Sequence, residues 1–238
     1  MRLRLISAFA MISVMICGCV AEEDLVGHWP LDSIEGGIAR DCGPNQLKGV
    51  IVEPEHITLK DGRNGKAIDF HGPNGKAAYI RVEGMKNFDF SKGMTVMCWY
   101  NPSSSQEYGH QGMIVCNGRT SNPNGFRLLL HYKRILLSDG NLAHYAASTA
   151  GKHPLKADTW IHIAGTFDGD KTFQLFIDGE LAGTYDKAPS AFMQAPDMDT
   201  LAIGSEFGYR PALASISEVK LYARKLSIPE IIAASRKE

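Results

Sequence analysis

Between Asp158 and Gly183 the chain reads DTWIHIAGTFDGDKTFQLFIDGELAG, where runs of β-branched and aromatic residues are broken at short intervals by Asp-Gly or Gly-Asp steps. This pattern suits strands and tight turns and leaves no room for a helix. Phe173, Leu175 and Ile177 alternate with Thr172, Gln174 and Phe176, so one strand face is wholly apolar and the other mixed. Asp178-Gly179 supplies the positive φ values of a two-residue hairpin turn, and Asp168-Gly169-Asp170 does the same one strand earlier. The acids Asp158, Asp168, Asp170, Asp178 and Glu180 therefore fall at strand ends, which predicts a role in turns rather than in catalysis or metal binding.

The same punctuation runs through the chain from Leu25 onward. Segments such as LVGHWPL, LKGVIV, KAIDF, AYIRV, MTVMCWYN, GMIVCN, FRLLLHY, RILLSD, TLAIGS and ISEVKLYA read as short strands, and the Gly/Asn/Pro stretches at 60–65, 71–76, 101–112 and 118–125 read as loops. One helix is expected at the end, because Ser227-Ile-Pro-Glu230 forms a capping box with Pro in the first turn. With no βαβ spacing, the natural architecture is all-β, an antiparallel two-sheet sandwich or jelly roll closed by a short C-terminal helix. The length of 238 residues with 44% hydrophobic residues suits a single domain. Lys and Arg total 25 against 26 Asp and Glu, so no broad basic surface speaks for nucleic acid as a partner.

Arg2 and Arg4, an uncharged and mostly apolar run from Leu5 to Ile16, and small residues before Cys19 read as an export signal. The run falls short of the roughly 20 residues that span a bilayer. Ile16-Cys17-Gly18-Cys19 resembles the bacterial lipobox, which implies a signal over 1–18, an acylated Cys19, and a lipid-anchored envelope protein; the alternative is a secretory signal cleaved near Ala21. Residues 19–24 would form the tether and 25–238 the domain. Val20 to Asp24 reach roughly 17 Å when extended.

Cys42, Cys98 and Cys116 remain beyond the signal. In an oxidising compartment a Cys98–Cys116 disulfide is the first expectation, since both lie in adjacent strand-like runs; three unpaired thiols are the alternative. No Cys-x-x-Cys pair follows the signal to suggest zinc or thiol redox chemistry.

Taken in order, LVGHWPLD, ARDCGPNQLKG, GKAIDFHGPNGKAAYIRV, GMTVMCWYNP, TWIHIAGTFDGDKTFQLFIDGELAG, LAIGS and ISEVKLYARKLSIPEI resemble the LamG-like jelly roll of the concanavalin A-like lectin and glucanase superfamily, over about residues 25–233. The resemblance implies one concave and one convex antiparallel sheet. It also brings laminarinase-type hydrolases into view, whose carboxyls alternate along one strand as Glu-x-Asp-x-x-Glu. That spacing is absent here, as is a Gly-x-Ser-x-Gly elbow. Relatives often hold a structural Ca²⁺ through a last strand reading Ile-Asp-Asp/Glu-Val. Here ISEV puts Ser217 in the ligand's place, leaving Asp32, Asp41 and Glu218 as the carboxylates that could serve.

A carbohydrate ligand calls for exposed aromatic rings flanked by planar polar groups. Tyr108 and His110 in SSSQEYGHQG, Tyr132, His144 and Tyr145 on central strands, His162 in WIHIAG, and Phe207, Tyr209 and Arg210 in SEFGYRP meet that description. Aromatics in the Gly- and Pro-bounded 204–211 loop are poorly explained by core packing. The sequence is thus read as a non-catalytic envelope module for a glycan or a protein partner. The alternatives are a polysaccharide-active enzyme with a His/Tyr or carboxylate site on the concave face, and a scaffold subunit of an envelope assembly.

Overall fold

Residues 23–103, 111–119, 124–149, 151–188 and 199–236 are described by the structure, a computed structural model. The chain begins with β1 (Leu25–Trp29), β2 (Ile38–Ala39), β3 (Gly49–Val52), β4 (Ile57–Asp61), β5 (Lys66–Phe70) and β6 (Tyr79–Glu83). Next come β7 (Met94–Pro102), β8 (Gln111–Asn117), β9 (Phe126–His131), β10 (Arg134–Asp139) and β11 (Tyr145–Ala147). The last part holds β12 (Ile161–Phe167), β13 (Phe173–Ile177), β14 (Glu180–Tyr185), β15 (Thr200–Ile203), β16 (Ala214–Tyr222) and the helix α1 (Ile228–Arg236). The strands form two antiparallel sheets of a jelly-roll sandwich. The first runs β14-β13-β12-β7-β16-β5-β4 with β1 added beside β16; the second runs β11-β10-β9-β8-β15-β6-β3-β2.

Alternation decides what fills the space between them. Val96 and Cys98 of β7, Ile161 and Ile163 of β12, and Phe173, Leu175 and Ile177 of β13 face Ile80, Leu128, Ile135, Leu137 and Ile203 of the second sheet in one continuous core. Asp178 and Gly179, at φ 50° and 81°, make the expected two-residue hairpin turn, whereas residues 168–172 form a longer loop in which Gly169 (φ 82°) but neither aspartate takes a positive φ. Asp168 Oδ1 accepts from the backbone N–H of Asp170, Lys171 and Thr172, and Asp178, at φ 50°, accepts through Oδ1 from the His162 N–H.

At the chain's end, Ser227 donates from both N–H and Oγ to Glu230 Oε2, which makes the glutamate half of the expected capping box. The helix covers part of the first sheet's outer face, where Ile231 and Leu226 pack with Met97, Ala164 and Phe176. Arg224 ties both ends together: its guanidinium holds Glu230 and reaches the Glu23 carbonyl, while the Ala223 N–H donates to the Asp24 carbonyl.

Two expectations are corrected here. Residues 60–65 are not wholly loop, since β4 extends through Asp61. Cys98 and Cys116 are not joined: each is a separate, buried thiol. Although consecutive, β7 and β8 belong to different sheets. Cys98 points into the core between the sheets, whereas Cys116 packs with Met113, Leu129, Leu136 and Ala202 on the far side of the second one. A disulfide needs Cα atoms within about 7 Å, less than the roughly 10 Å between packed sheets.

Candidate binding site

In β9, Phe126, Leu128 and Leu130 point into the core, so Arg127, Leu129 and His131 point outward. The ladders extend that outward set across the second sheet. One row runs Tyr145, Ser138, Arg127, Cys116, Ala202, Arg81, each residue directly opposite the next. Beside it runs Ala147, Leu136, Leu129, Met113, and then Arg134, His131, Gln111. The face therefore has an apolar floor with an arginine, Arg127, set in it and fully buried.

The segment after β15 covers that arginine. Glu206 and Tyr209 exchange backbone hydrogen bonds of 2.7 and 3.1 Å, while Phe207 at φ 52° and Gly208 at φ 93° take the positive values of a type I′ turn, making a tight finger. Four bonds pin it: the Gly208 carbonyl accepts from the N–H of Gly75 and Ala77, the Arg210 carbonyl accepts from Met113, and the Arg210 N–H donates to Asn74 Oδ1. A phenylalanine at positive φ carries strain of about 1–3 kcal/mol, which the surrounding contacts must hold in place. The Phe207 ring packs edge-on against Tyr79 at 5.8 Å and lies under the Arg119 guanidinium at 5.4 Å. Beneath the finger, Arg127 Nη2 donates to Glu206 Oε1 (3.1 Å) and Arg210 Nη1 donates to Oε2 (3.0 Å), so two guanidiniums share one carboxylate.

Three tyrosines surround this assembly with much of their surface in solvent: Tyr132 (56% exposed), Tyr209 (50%) and Tyr145 (41%). Tyr132 stands perpendicular to the His131 ring at 4.4 Å, in the turn joining β9 to β10. Burial, followed by the charges of Arg134 and Arg210, pushes the His131 pKa down. At the sheet's edge, His144 Nδ1 lies 2.6 Å from Asp139 Oδ2, and its ring meets Tyr185 at 5.6 Å.

Of the residues singled out in the sequence, Tyr132, Tyr145, Phe207, Tyr209 and Arg210 thus come to the second sheet's outer side, with His144 at its edge. Tyr108 and His110 lie outside the described residues, as does Cys19. His162 is a correction: it sits on the first sheet's outer side, 3% exposed, 5.2 Å from Trp99, whose other neighbour is the Arg63 guanidinium at 3.8 Å. Burial, then the charges of Arg63 and Lys220, pushes its pKa from 6.5 down to about 4.

That shift has a defined sign. Between these values the unfolded chain binds a proton that the folded imidazole refuses, so stability is complete above about pH 6.5 and falls by about 3 kcal/mol as pH drops through 4. Urea unfolding from pH 7 to 4 should show this loss in the wild type and lack it in His162→Gln. Equal pH profiles for the two proteins remove the assignment.

The three metal carboxylates do not form a ligand set. Asp41 spends Oδ1 on the N–H of His28 and Gly43 and Oδ2 on that of Leu47; Glu218 Oε2 pairs with His28 Nε2 at 2.7 Å; and the exposed Asp32 accepts from Ser33. A bulge, with Glu218 at φ 53°, turns that side chain outward. Among the described residues no three His, Cys, Asp or Glu side chains converge as metal ligands, and Asp32, Asp41 and Glu218 each hold separate protein partners. Two site residues escaped the sequence reading. Arg127 was signalled by being a lone charge inside FRLLLH, and Glu206 by standing four residues before Arg210.

A family model for the concanavalin A-like lectin/glucanases superfamily matches residues 74–232. Among solved structures, domain 4 of AbnA, a GH43 extracellular arabinanase from Geobacillus stearothermophilus in complex with arabinotriose, is similar with a TM-score of 0.66 and 18% identity, over 90% of this chain and 98% of that one. The binding domain of botulinum neurotoxin DC in complex with rat synaptotagmin II gives 0.69 and 10% identity, over 91% and 52%. The same domain with SialylT gives 0.67 and 9%, over 90% and 51%. The chain spans about half the length of those neurotoxin domains. At such identities the likeness is one of fold. No curated protein matches in sequence.

Proposed function

Since this chain belongs to the concanavalin A-like lectin/glucanases superfamily, we propose that it is a non-catalytic envelope module that binds a glycan on the outer side of its second sheet. One observation carries the reading: a strained, four-point-pinned finger holds Tyr209 in solvent directly beside the Arg127–Glu206–Arg210 set. Sugar rings present C–H faces that stack on aromatic rings and hydroxyls that need planar donors and acceptors, and rigid placement of both lowers the entropic cost of binding. The arabinotriose complex of the arabinanase domain supports a glycan, and the synaptotagmin complex of the neurotoxin domain supports a protein as the competing partner.

Catalysis by paired carboxylates finds no support at the finger. A retaining hydrolase needs a nucleophile and an acid about 5 Å apart, and Glu206 has both oxygens held by guanidiniums. A glycan array with the soluble domain tests the proposal. Tyr209→Ala, altering a half-exposed ring, should leave the melting temperature within a degree or two yet weaken binding roughly tenfold or more. An array without a single binder removes the glycan reading. We further propose that Cys19 is acylated and anchors the domain; absence of clickable fatty acid on wild type would sink that part alone.

A further inference from the structure

We infer that the glycan is acidic, with a carboxylate received by the arginines around the finger. This rests on the glycan reading above and narrows it. Over the whole chain the charges nearly cancel, to −1, but on this face they do not. Among the described residues the outward side chains and their cover supply Arg81, Arg119, Arg127, Arg134 and Arg210, against Glu83 and Glu206. Glu83 stands 3.4 Å from Arg81, and Glu206 is divided between Arg127 and Arg210. Arg119 and Arg134 therefore add to a surface where guanidiniums already outnumber carboxylates.

Their placement suits an acidic sugar more than a diffuse polyanion. Arg119 lies over the Phe207 ring at 5.4 Å, and Arg210 stands at the base of the finger with 31% of its side chain exposed, next to Tyr209. A planar guanidinium offers paired N–H groups at the spacing of carboxylate oxygens, so it receives a uronate carboxylate in two parallel bonds while the neighbouring tyrosine takes the pyranose face. His131, whose pKa burial and then the charges of Arg134 and Arg210 push down, adds a polar edge beside them.

Binding of polygalacturonate, its methyl ester, alginate, hyaluronan and dextran sulfate to the protein tests this. Polygalacturonate should bind roughly tenfold or more tightly than its methyl ester, which has the same backbone without charge. The preference should shrink at about 1 M salt, where the screening length falls to about 3 Å. The double variant Arg119→Gln/Arg134→Gln should lose the preference while keeping the wild-type melting temperature, and Tyr209→Ala should weaken both polymers alike. Equal binding of ester and acid overturns the inference and leaves the glycan reading standing. Preference for dextran sulfate overturns the carboxylate. Failure to bind polygalacturonate, alginate and hyaluronan overturns the inference outright, and the glycan array separately decides the fate of the broader reading.

Discussion

Glu206→Ala should destabilise the fold by about 3–5 kcal/mol, because it strips the shared carboxylate from a fully buried guanidinium. Arg127 has no exposed side-chain surface and therefore cannot recover the lost interaction from water, whereas Arg210, partly in solvent, can. The loss is the cost of taking a carboxylate away from a buried guanidinium, not the net worth of the ion pair, and this distinction makes a second variant informative. Arg127→Met combined with Glu206→Leu removes both buried charges and keeps apolar volume above Cys116 and Ala202. It should regain most of the stability lost in the single variant while still failing to bind glycan. Equilibrium urea unfolding measures both. A single variant losing less than about 1 kcal/mol would mean that water reaches the pair and that the finger is not the closed cover described above.

Gly204→Ala should cost about 2–6 kcal/mol, the sum of two independent penalties. A β-carbon there would fall against the Phe70 ring in the core, an overpacking worth about 1–3 kcal/mol. The residue also sits at φ 94°, where an L side chain adds about 1–3 kcal/mol of strain. Gly75 separates the two effects. It has a similar φ of 95° but its nearest neighbour is Tyr209 Cε1 at 3.8 Å, so Gly75→Ala should carry only the strain. Thermal melting of the two variants side by side checks this; equal losses would show that Phe70 yields without cost. Because Gly204 is the point where β15 leaves the sheet to become the finger, the binding face and the core share this residue.

Much of the sandwich could be read from the sequence because its signals are local. Period-2 alternation in TFQLFID and turn chemistry at Asp178 act within a few residues, and both operate as expected, whereas the turn expected at Asp168 opens into a longer loop. Strands without that signal were missed: β4, ITLKD, buries only Ile57, and β2 holds two residues; Tyr145 does lie on a strand, but β11 is a three-residue edge strand rather than a central one. The cysteine pairing failed for a different reason. Alternation tells which residues share a face but not which sheet a strand joins, and β7 and β8 part company although they are consecutive. The same limit put His162 with the other aromatics, when topology sets it on the opposite side. Tyr209 and Arg210 were legible because a Gly- and Pro-bounded loop has little reason to spend aromatics. The buried pair Arg127 and Glu206 was not, since it joins residues 79 positions apart and only the folded sheet brings them together.

Arg224 holds the Glu23 carbonyl and the Glu230 carboxylate in one cluster, so the start of the described chain and the first turn of the last helix meet beside the first sheet. The arginine-rich finger belongs to the other leaf. A fluorophore or a bead attached at Glu23 or on the last helix therefore sits on the sheet opposite the finger.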